Sequence, residues 1–298
     1  MKQLIFNFTH SICAVFLIGM YRWIMNKLHV RAGLLLLVAL ILILPGQTAL
    51  SQQQLGEVLA LRVYENFEGD ETRYEQLARE VSYPFFAKHA SGLDWLLLKA
   101  DRGNWEGMHL SVLSFESLDS RNAYFPTEES PEPPEWMKLN QAWDLEVDPG
   151  LFAEFSVDHW TGEGMTYWGD YVFIGEPADL PEYGVLGLHH RTTRPDREAE
   201  LEDFIRNSWN PARLPGQKAD AVWFKADRGP RKGHYLLVFT FESAELRDMM
   251  IPEPEGDLSD MAYEMLGDLL PVMEQLRATF GTEGSADLRE YSDFVLIR

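Results

Sequence analysis

The sequence predicts an α+β protein in which one β-α-β-β-α-β unit occurs twice and the two antiparallel sheets pair into an α/β barrel. Three observations predict this fold: an internal duplication, the same order of strand and helix patterns in both halves, and strands that are apolar on both faces. The chain has 298 residues, enough for two units of ordinary domain size.

The pentapeptide KADRG marks the duplication. It occurs at 99–103 and again at 225–229. Around it, 94–126 and 220–252 share 14 of 33 positions, far more than unrelated sequences of ordinary composition would share. We therefore divide the chain into a leader, 1–51, and two repeats, 57–178 and 183–298.

Both repeats show the same elements in the same order. The first helix of repeat 1 has Tyr74, Leu77 and Val81 at helical spacing, and the strands are short apolar runs bounded by polar residues or glycine. Pro149 and Pro271 predict a break or kink in the second helical stretch of each repeat. The predicted elements are strands at 58–67 and 183–192, helices at 70–89 and 196–209, hairpin strands at 93–101, 108–117, 220–227 and 234–243, second helices at 136–147 and 258–280, and last strands at 171–175 and 294–298.

The third strand of each repeat indicates how the sheets are used. In 110–115 and 236–241, both alternating sets of side chains are mostly apolar. One face of such a strand packs on helices, and the other face needs a second apolar surface rather than water. The other repeat supplies that surface, so the pattern predicts two sheets that close on each other.

The β-α-β-β-α-β order is the ferredoxin-like pattern. Two such units in tandem, apolar on both sheet faces, resemble the dimeric α/β-barrel superfamily in a single-chain form. The resemblance covers most of 57–298 and rests on element order rather than on a catalytic signature. It implies a barrel with the helices outside. Members of that superfamily include heme-binding peroxidase-like enzymes, cofactor-free monooxygenases of small aromatic compounds, and proteins with no known activity.

The charge balance excludes one class of partner. The chain has 26 Lys and Arg against 47 Asp and Glu, a formal net charge of −21. Such a surface repels phosphate backbones, so we expect no nucleic-acid partner.

The first 51 residues predict export. Lys27 and Arg31 precede an apolar run at 32–44, and a small-x-small cleavage site at 49–51 would leave Gln52 as the new N-terminus. Met25 is a plausible true start of the chain. The alternative is that the leader is not cleaved and acts as a membrane anchor. In that case the leader is the only part of the chain that we expect to contact a membrane. The single cysteine, Cys13, lies in this leader, so the exported part has no thiol for disulfides or metal binding.

KADRG has two interpretations. An Asp-Arg-Gly sequence followed by a second glycine is typical of a hairpin, because Asp bonds nearby backbone N–H groups and Gly accepts positive φ. In the alternative, Arg102 and Arg228 bind a carboxylate at the rim of the barrel.

The histidines supply the remaining candidate ligand-binding residues. His109, His190 and His234 lie on or beside predicted strands, and His109 and His234 are offset by one position between the repeats, which predicts that they face opposite sides of the sheet. Their spacing predicts no metal site. We predict no cofactor, with heme as the alternative.

Together these observations predict an exported barrel that is a small-molecule-binding or structural module, with a small apolar or carboxylate-bearing ligand held between the sheets. The alternative is a cofactor-free monooxygenase or a heme-dependent enzyme of the same fold. A barrel filled with side chains favours the module, and an open polar cleft with two converging histidines favours the enzyme.

Overall fold

The computed structural model describes residues 53–64, 71–127, 134–152, 165–176, 180–213, 217–252, 258–280 and 291–297. The leader prediction and the middle of the proline-rich loops lie outside these residues. Within the described residues, no helix is both long enough and apolar enough to cross a membrane.

The strands form one closed barrel and one small sheet. Their bounds are β1 Gln53–Gln54, β2 Val58–Tyr64, β3 Leu93–Gly103, β4 His109–Phe115, β5 Met165–Phe173, β6 Glu182–Tyr183, β7 Val185–Arg191, β8 Ala219–Arg228, β9 Tyr235–Phe241 and β10 Tyr291–Leu296. The barrel order is β10-β3-β4-β2-β5-β8-β9-β7, and every ladder that joins these neighbours is antiparallel.

This order contains the ferredoxin-like arrangement twice. β3-β4-β2-β5 and β8-β9-β7-β10 are the same sequence of second, third, first and fourth strand within each repeat. The β5–β8 and β10–β3 ladders join the repeats and close the barrel. The chain therefore has the dimeric α/β-barrel fold in single-chain form, as the sequence predicts.

The helices lie outside the barrel. Their bounds are α1 Glu71–Leu77, α2 Tyr83–His89, α3 Leu118–Tyr124, α4 Pro134–Glu146, α5 Glu198–Phe204, α6 Asn210–Ala212, α7 Ala244–Met250, α8 Asp260–Leu266 and α9 Leu269–Phe280. One π-helical turn joins α1 to α2 at Ala78–Ser82, and another joins α5 to α6 at Ile205–Trp209. Each predicted first helix is therefore one continuous helical segment with a π turn in the same place.

The structure corrects two details of the second helical stretches. Short helices α3 and α7 precede them. Each is preceded by a capping serine, Ser117 or Ser243, whose hydroxyl accepts the backbone N–H of the third helical residue. The break expected at Pro271 lies instead at Gly267, whose φ of 40° ends α8. Pro271 stands in the first turn of α9, where its missing N–H costs no helical hydrogen bond.

Three apolar clusters account for the packing. The barrel core is the cluster of side chains that point into the barrel from all eight strands, and it includes Leu98, Val112, Phe224 and Val238. Two outer clusters pack helices of each repeat against the outer face of its own sheet. All seven residues of β4 are buried, which confirms that both faces of this strand are covered.

Different structures close the two ends of the barrel. At one end the β1–β6 sheet lies across the opening, with Leu55 and Tyr183 in the barrel core. At the other end lie the β3–β4 and β8–β9 hairpins, and Trp105 packs into the core from the first of them. We call this second end the hairpin mouth.

Candidate functional site at the hairpin mouth

Both KADRG copies lie in equivalent hairpins. Gly103 and Gly229 have φ of 96° and 97°, the left-handed region that favours glycine. The N–H of Gly107 donates to the Ala100 carbonyl over 2.8 Å, and in the second repeat Gly233 donates to Ala226 over the same distance. The hairpin interpretation is confirmed.

The arginines of the motif bind the opposite repeat. Arg102 Nη1 donates to the Ile251 carbonyl over 3.0 Å, and Arg228 Nη1 donates to the Phe125 carbonyl over 2.6 Å. Both side chains are buried, and both acceptors follow directly after helix α7 or α3. These guanidinium groups hold the other repeat's loop, whereas a carboxylate-binding role for them stays a prediction.

His109 lies on the outer face of the sheet, under helix α1. Its Nε2 is 3.3 Å from Glu75 Oε1 and 3.7 Å from Glu71 Oε1, so three side chains of metal-ligating type lie close together here. Burial lowers the pKa of His109, and the hydrogen bond with Glu75 opposes that shift. Lys99 Nζ also contacts Glu71, over 2.8 Å.

The second repeat has the same lysine–carboxylate network without the histidine. There Lys225 Nζ contacts Glu198 over 3.0 Å and Glu202 over 2.8 Å, and the residue equivalent to His109 is Tyr235. The Tyr235 hydroxyl lies 3.4 Å from Glu202. A lysine thus neutralises a pair of helix carboxylates in both repeats, whether or not a histidine is present.

His190 lies inside the barrel at the hairpin mouth, and its surface exposure is 0%. Its Nδ1 is 3.4 Å from the Tyr171 hydroxyl, which is itself hydrogen-bonded to the Tyr167 hydroxyl. The Trp105 ring lies edge-on above the imidazole, with centroids 5.6 Å apart. Within the described part of the chain, His190 Nε2 has no hydrogen-bond partner.

Arg231 and His234 complete a group of five side chains that we call the mouth cluster. The other three are His190, Tyr171 and Trp105. The Arg231 guanidinium lies 4.7 Å from the centre of the Tyr167 ring, and it and His234 both lower the pKa of His190 through their charges. His109 faces the helices, and its equivalent in repeat 2 is Tyr235, one residue after His234. The opposite orientation of His109 and His234 stays a prediction. Arg231, His234 and Trp105 are each partly exposed, so the cluster reaches solvent.

The mouth cluster breaks the symmetry of the duplication. The strand registers place Val63 opposite Leu110 and His190 opposite Leu236, so these two residues are equivalent. Phe294 pairs with Ala100, and Tyr171 pairs with Ala226, the equivalent alanine of repeat 2. Phe294 and Tyr171 are therefore equivalent as well. The four polar members of the cluster and their apolar counterparts are His190 and Val63, Tyr171 and Phe294, Arg231 and Trp105, and His234 and Met108.

Burial dominates the electrostatics of His190. Desolvation is the largest effect, and together with the nearby basic groups it lowers the pKa of the imidazole to about 2. His190 is therefore neutral at physiological pH. A neutral imidazole offers one N–H donor and one lone pair, and the contact with Tyr171 occupies Nδ1 only.

The residues around His190 do not fit a heme. Three aromatic rings, those of Trp105, Tyr167 and Tyr171, have centroids 5.3 to 5.9 Å from the imidazole. A porphyrin bound to Nε2 needs an open slot wider than any single ring, and these three rings crowd the imidazole. We therefore derive no chemistry through a heme at this position.

The sequence matches no protein-family model and no curated protein. Among solved structures, the chain is similar to a "putative monooxygenase" from Lactobacillus acidophilus, with 7% identity, coverage of 81% of this chain and 94% of that chain, and a TM-score of 0.45. It is also similar to a mutant chlorite dismutase from Candidatus Nitrospira defluvii, with 8% identity, 81% and 92% coverage, and a TM-score of 0.38.

A heme-binding protein from Thermus thermophilus has 10% identity, 82% and 92% coverage, and a TM-score of 0.35. Similarities of this size carry no argument about function, and the fold assignment rests on the strand order itself.

The sequence prediction identified two of the five principal residues of the mouth cluster. His190 and His234 were candidates, whereas Tyr171, Arg231 and Trp105 were missed. The signal that could have found them is the aligned pair of repeats, because Trp105 stands opposite Arg231 and Met108 opposite His234 at the same offset that aligns KADRG. Polar residues that replace apolar ones at barrel-facing positions mark the place where the repeats differ.

Proposed function

We propose that this protein binds a small organic molecule at the hairpin mouth and acts as a binding module. The observation that carries the proposal is His190 Nε2, a fully buried polar atom without a hydrogen-bond partner in the described structure. Leaving such an atom unpaired costs about 1 to 3 kcal/mol, and a bound molecule that pairs with it would recover this cost.

Comparison of the two repeats supports a functional reason for burying the unpaired nitrogen of His190. Repeat 1 fills the equivalent position with Val63, which is also fully buried and belongs to the same barrel core. The fold therefore tolerates an apolar residue there. A histidine that is not needed for packing, surrounded by Tyr171 and Arg231, is better explained by ligand recognition.

Binding is favoured over catalysis by the chemistry of the imidazole. A general base works best when its pKa lies near the working pH, and burial holds the pKa of His190 at about 2. Apolar side chains such as Leu98 and Phe224 fill the rest of the barrel. A barrel filled with side chains favours a binding module over an enzyme. The hydrogen-bonded series Tyr167, Tyr171 and His190 is the feature that would serve a cofactor-free monooxygenase, the second candidate.

Native mass spectrometry of protein purified from its own host tests the binding proposal. We expect a retained molecule of a few hundred daltons in the wild-type protein and none in His190→Val, which copies the residue that repeat 1 carries at this position. Val63→Ala is the matched control, since it alters the equivalent core position without touching the mouth cluster, and it should retain the molecule. A wild-type protein that carries no molecule in its native spectrum contradicts the proposal.

We also propose that the barrel works after export. The basic and apolar pattern of 27–44 and the small-x-small site at 49–51 support this proposal, as does the location of the only cysteine in the leader. N-terminal sequencing of the protein from its host should give Gln52 as the first residue. A chain that retains 1–51 would instead support the membrane-anchor alternative.

A further inference from the structure

We propose that Glu71, Glu75 and His109 form a binding site for one zinc ion on the outer face of the barrel. The site joins helix α1 to strand β4, and it does not depend on the binding function proposed for the hairpin mouth. The spacing of the histidines in the sequence predicts no metal site, because these three residues meet only in the folded chain.

The distances between the three side chains suit a zinc ion. Two ligand atoms that lie about 2.0 to 2.1 Å from a tetrahedral zinc ion are about 3.3 Å from each other. His109 Nε2 lies 3.3 Å from Glu75 Oε1 and 3.7 Å from Glu71 Oε1. The ligand atoms of all three residues fall within 4.8 Å of one another. Small movements of the two carboxylates therefore bring all three ligand atoms to one ion.

Two elements of the fold hold these side chains together. Glu71 and Glu75 are four residues apart on α1, so their side chains lie on the same face of the helix. His109 is the first residue of β4, is 1% exposed, and contacts the Tyr74 ring edge-on with centroids 6.1 Å apart. The Glu71 and Glu75 side chains are 42% and 20% exposed, so an ion reaches the site from solvent on the carboxylate side.

The donor atoms indicate the class of metal. Zinc binds imidazole nitrogen and carboxylate oxygen, and His109 offers the Nε2 lone pair when the hydrogen of the neutral ring is on Nδ1. Magnesium and calcium prefer oxygen ligands alone, so the imidazole favours zinc over these cations. Three protein ligands leave a fourth position for water.

The neighbouring lysine leaves room for the ion. Lys99 Nζ lies 2.8 Å from Glu71 Oε2 but 3.8 Å from Glu75 Oε1. The two oxygens that face His109 are Oε1 of Glu71 and Oε1 of Glu75. An ion between these two oxygens and the imidazole therefore leaves the short contact between Lys99 and Glu71 Oε2 in place.

Repeat 2 supplies a matched comparison. There Lys225 lies close to both helix carboxylates, 3.0 Å from Glu198 and 2.8 Å from Glu202, and Tyr235 stands in place of His109. Burial raises the pKa of Tyr235 to about 12, so its hydroxyl is neutral and is not one of the usual zinc ligands. We therefore expect zinc at this place in repeat 1 rather than in repeat 2.

Isothermal titration calorimetry of the whole chain with zinc chloride tests the inference. We expect the wild-type protein to bind one more zinc ion per chain than His109→Tyr, which copies the residue that repeat 2 carries. Glu75→Gln should weaken this binding at least about tenfold, because removing a residue that merely orients a metal ligand already costs about 10- to 100-fold. Glu202→Gln makes the same change at the equivalent position of repeat 2 and should bind zinc as the wild-type protein does.

Two results of the titrations would overturn the zinc site. One is an equal number of bound zinc ions in the wild-type protein and His109→Tyr. The other is an equal loss of zinc affinity in Glu75→Gln and Glu202→Gln. Magnesium chloride should give no difference between the wild-type protein and His109→Tyr, and a difference as large as that with zinc would overturn the choice of metal.

Thermal unfolding gives a second readout and shows whether the variants fold. A metal that binds only the folded protein raises the thermal midpoint, so zinc should raise it further in the wild-type protein than in His109→Tyr. Because repeat 2 carries a tyrosine at this position, we expect His109→Tyr to unfold cooperatively without zinc. Equal increases of the midpoint in the two proteins would place the bound zinc elsewhere and overturn the inference.

Discussion

Asp101 and Arg247 form a bidentate salt bridge, with both N–O distances at 2.7 Å. The pair joins the KADRG motif of repeat 1 to helix α7 of repeat 2. Asp227 and Arg121 form the reciprocal pair, over 2.6 Å. Together with the bonds that the motif arginines make to the opposite loops, these pairs explain why KADRG is the same in both repeats: each copy holds the other half of the barrel.

The first prediction concerns this reciprocal contact. Asp101→Asn and Asp227→Asn should each lower the free energy of unfolding by about 2 kcal/mol, because each leaves a buried arginine with one carboxylate fewer. Urea denaturation of the variants measures the loss. Asp196→Asn is the control, since Asp196 pairs with Arg194 on the surface, where both side chains are more than 70% exposed, and it should change the free energy by less than about 0.5 kcal/mol. Equal losses of unfolding free energy at all three positions would contradict a stabilising role for the two salt bridges between the repeats.

The second prediction concerns pH and His190. Because burial lowers the pKa of His190 to about 2 while the unfolded chain takes up a proton near pH 6.5, stability is complete above pH 6.5 and falls as the pH drops towards 2. Denaturation curves between pH 7 and 4.5 should show this fall, and His190→Val should reduce its slope by up to about 1.4 kcal/mol per pH unit. An unchanged slope would mean that His190 is protonated in the folded protein.

The third prediction compares two glycines of the second hairpin. Gly229 and Gly233 have φ of 97° and 86°, so alanine is strained at both. A Cβ at Gly229 would also lie 2.9 Å from the Trp168 carbonyl oxygen, whereas at Gly233 it meets nothing within 4 Å. Gly229→Ala should therefore lower the thermal midpoint clearly more than Gly233→Ala does. The reverse order would show that the hairpin packs differently against β5.

The fourth prediction concerns a second link between the repeats. The Tyr83 hydroxyl lies 2.8 Å from the Ile297 carbonyl, to which it donates, and it accepts the N–H of Leu97 over 3.2 Å, so it ties helix α2 to the closing β10–β3 ladder. Tyr83→Phe should cost about 1 to 2 kcal/mol of unfolding free energy. Tyr263→Phe, which removes a hydroxyl from a residue that is 53% exposed, is the control and should be near neutral. No difference between the two variants would contradict this link.

The fold could be predicted because the duplication is visible in the sequence, and so are the strands that have apolar side chains on both faces. Leu110 and Val112 face inwards and Leu113 faces the helices, and this alternation can be seen in the sequence alone. Helices α3 and α7 were not predicted because seven residues are too few for a clear period.

The candidate site was harder to predict because it is assembled from distant positions. Tyr171 comes from repeat 1 and His190 from repeat 2, and only the barrel registers bring them together. The contacts of Arg102 and Arg228 across the repeats depend equally on tertiary structure. The sequence could have shown where the two repeats differ, for example at Val63 of repeat 1 and the equivalent His190 of repeat 2.

The central claim is that His190 Nε2 meets a bound molecule, and a high-resolution crystal structure of the protein purified from its own host tests it most directly. We predict density for a non-protein organic molecule with a hydrogen-bonding atom within about 3.2 Å of His190 Nε2. Density for a single buried water on Nε2, with Trp105 closed over it, would contradict the claim, because the water would then satisfy the buried nitrogen without any ligand.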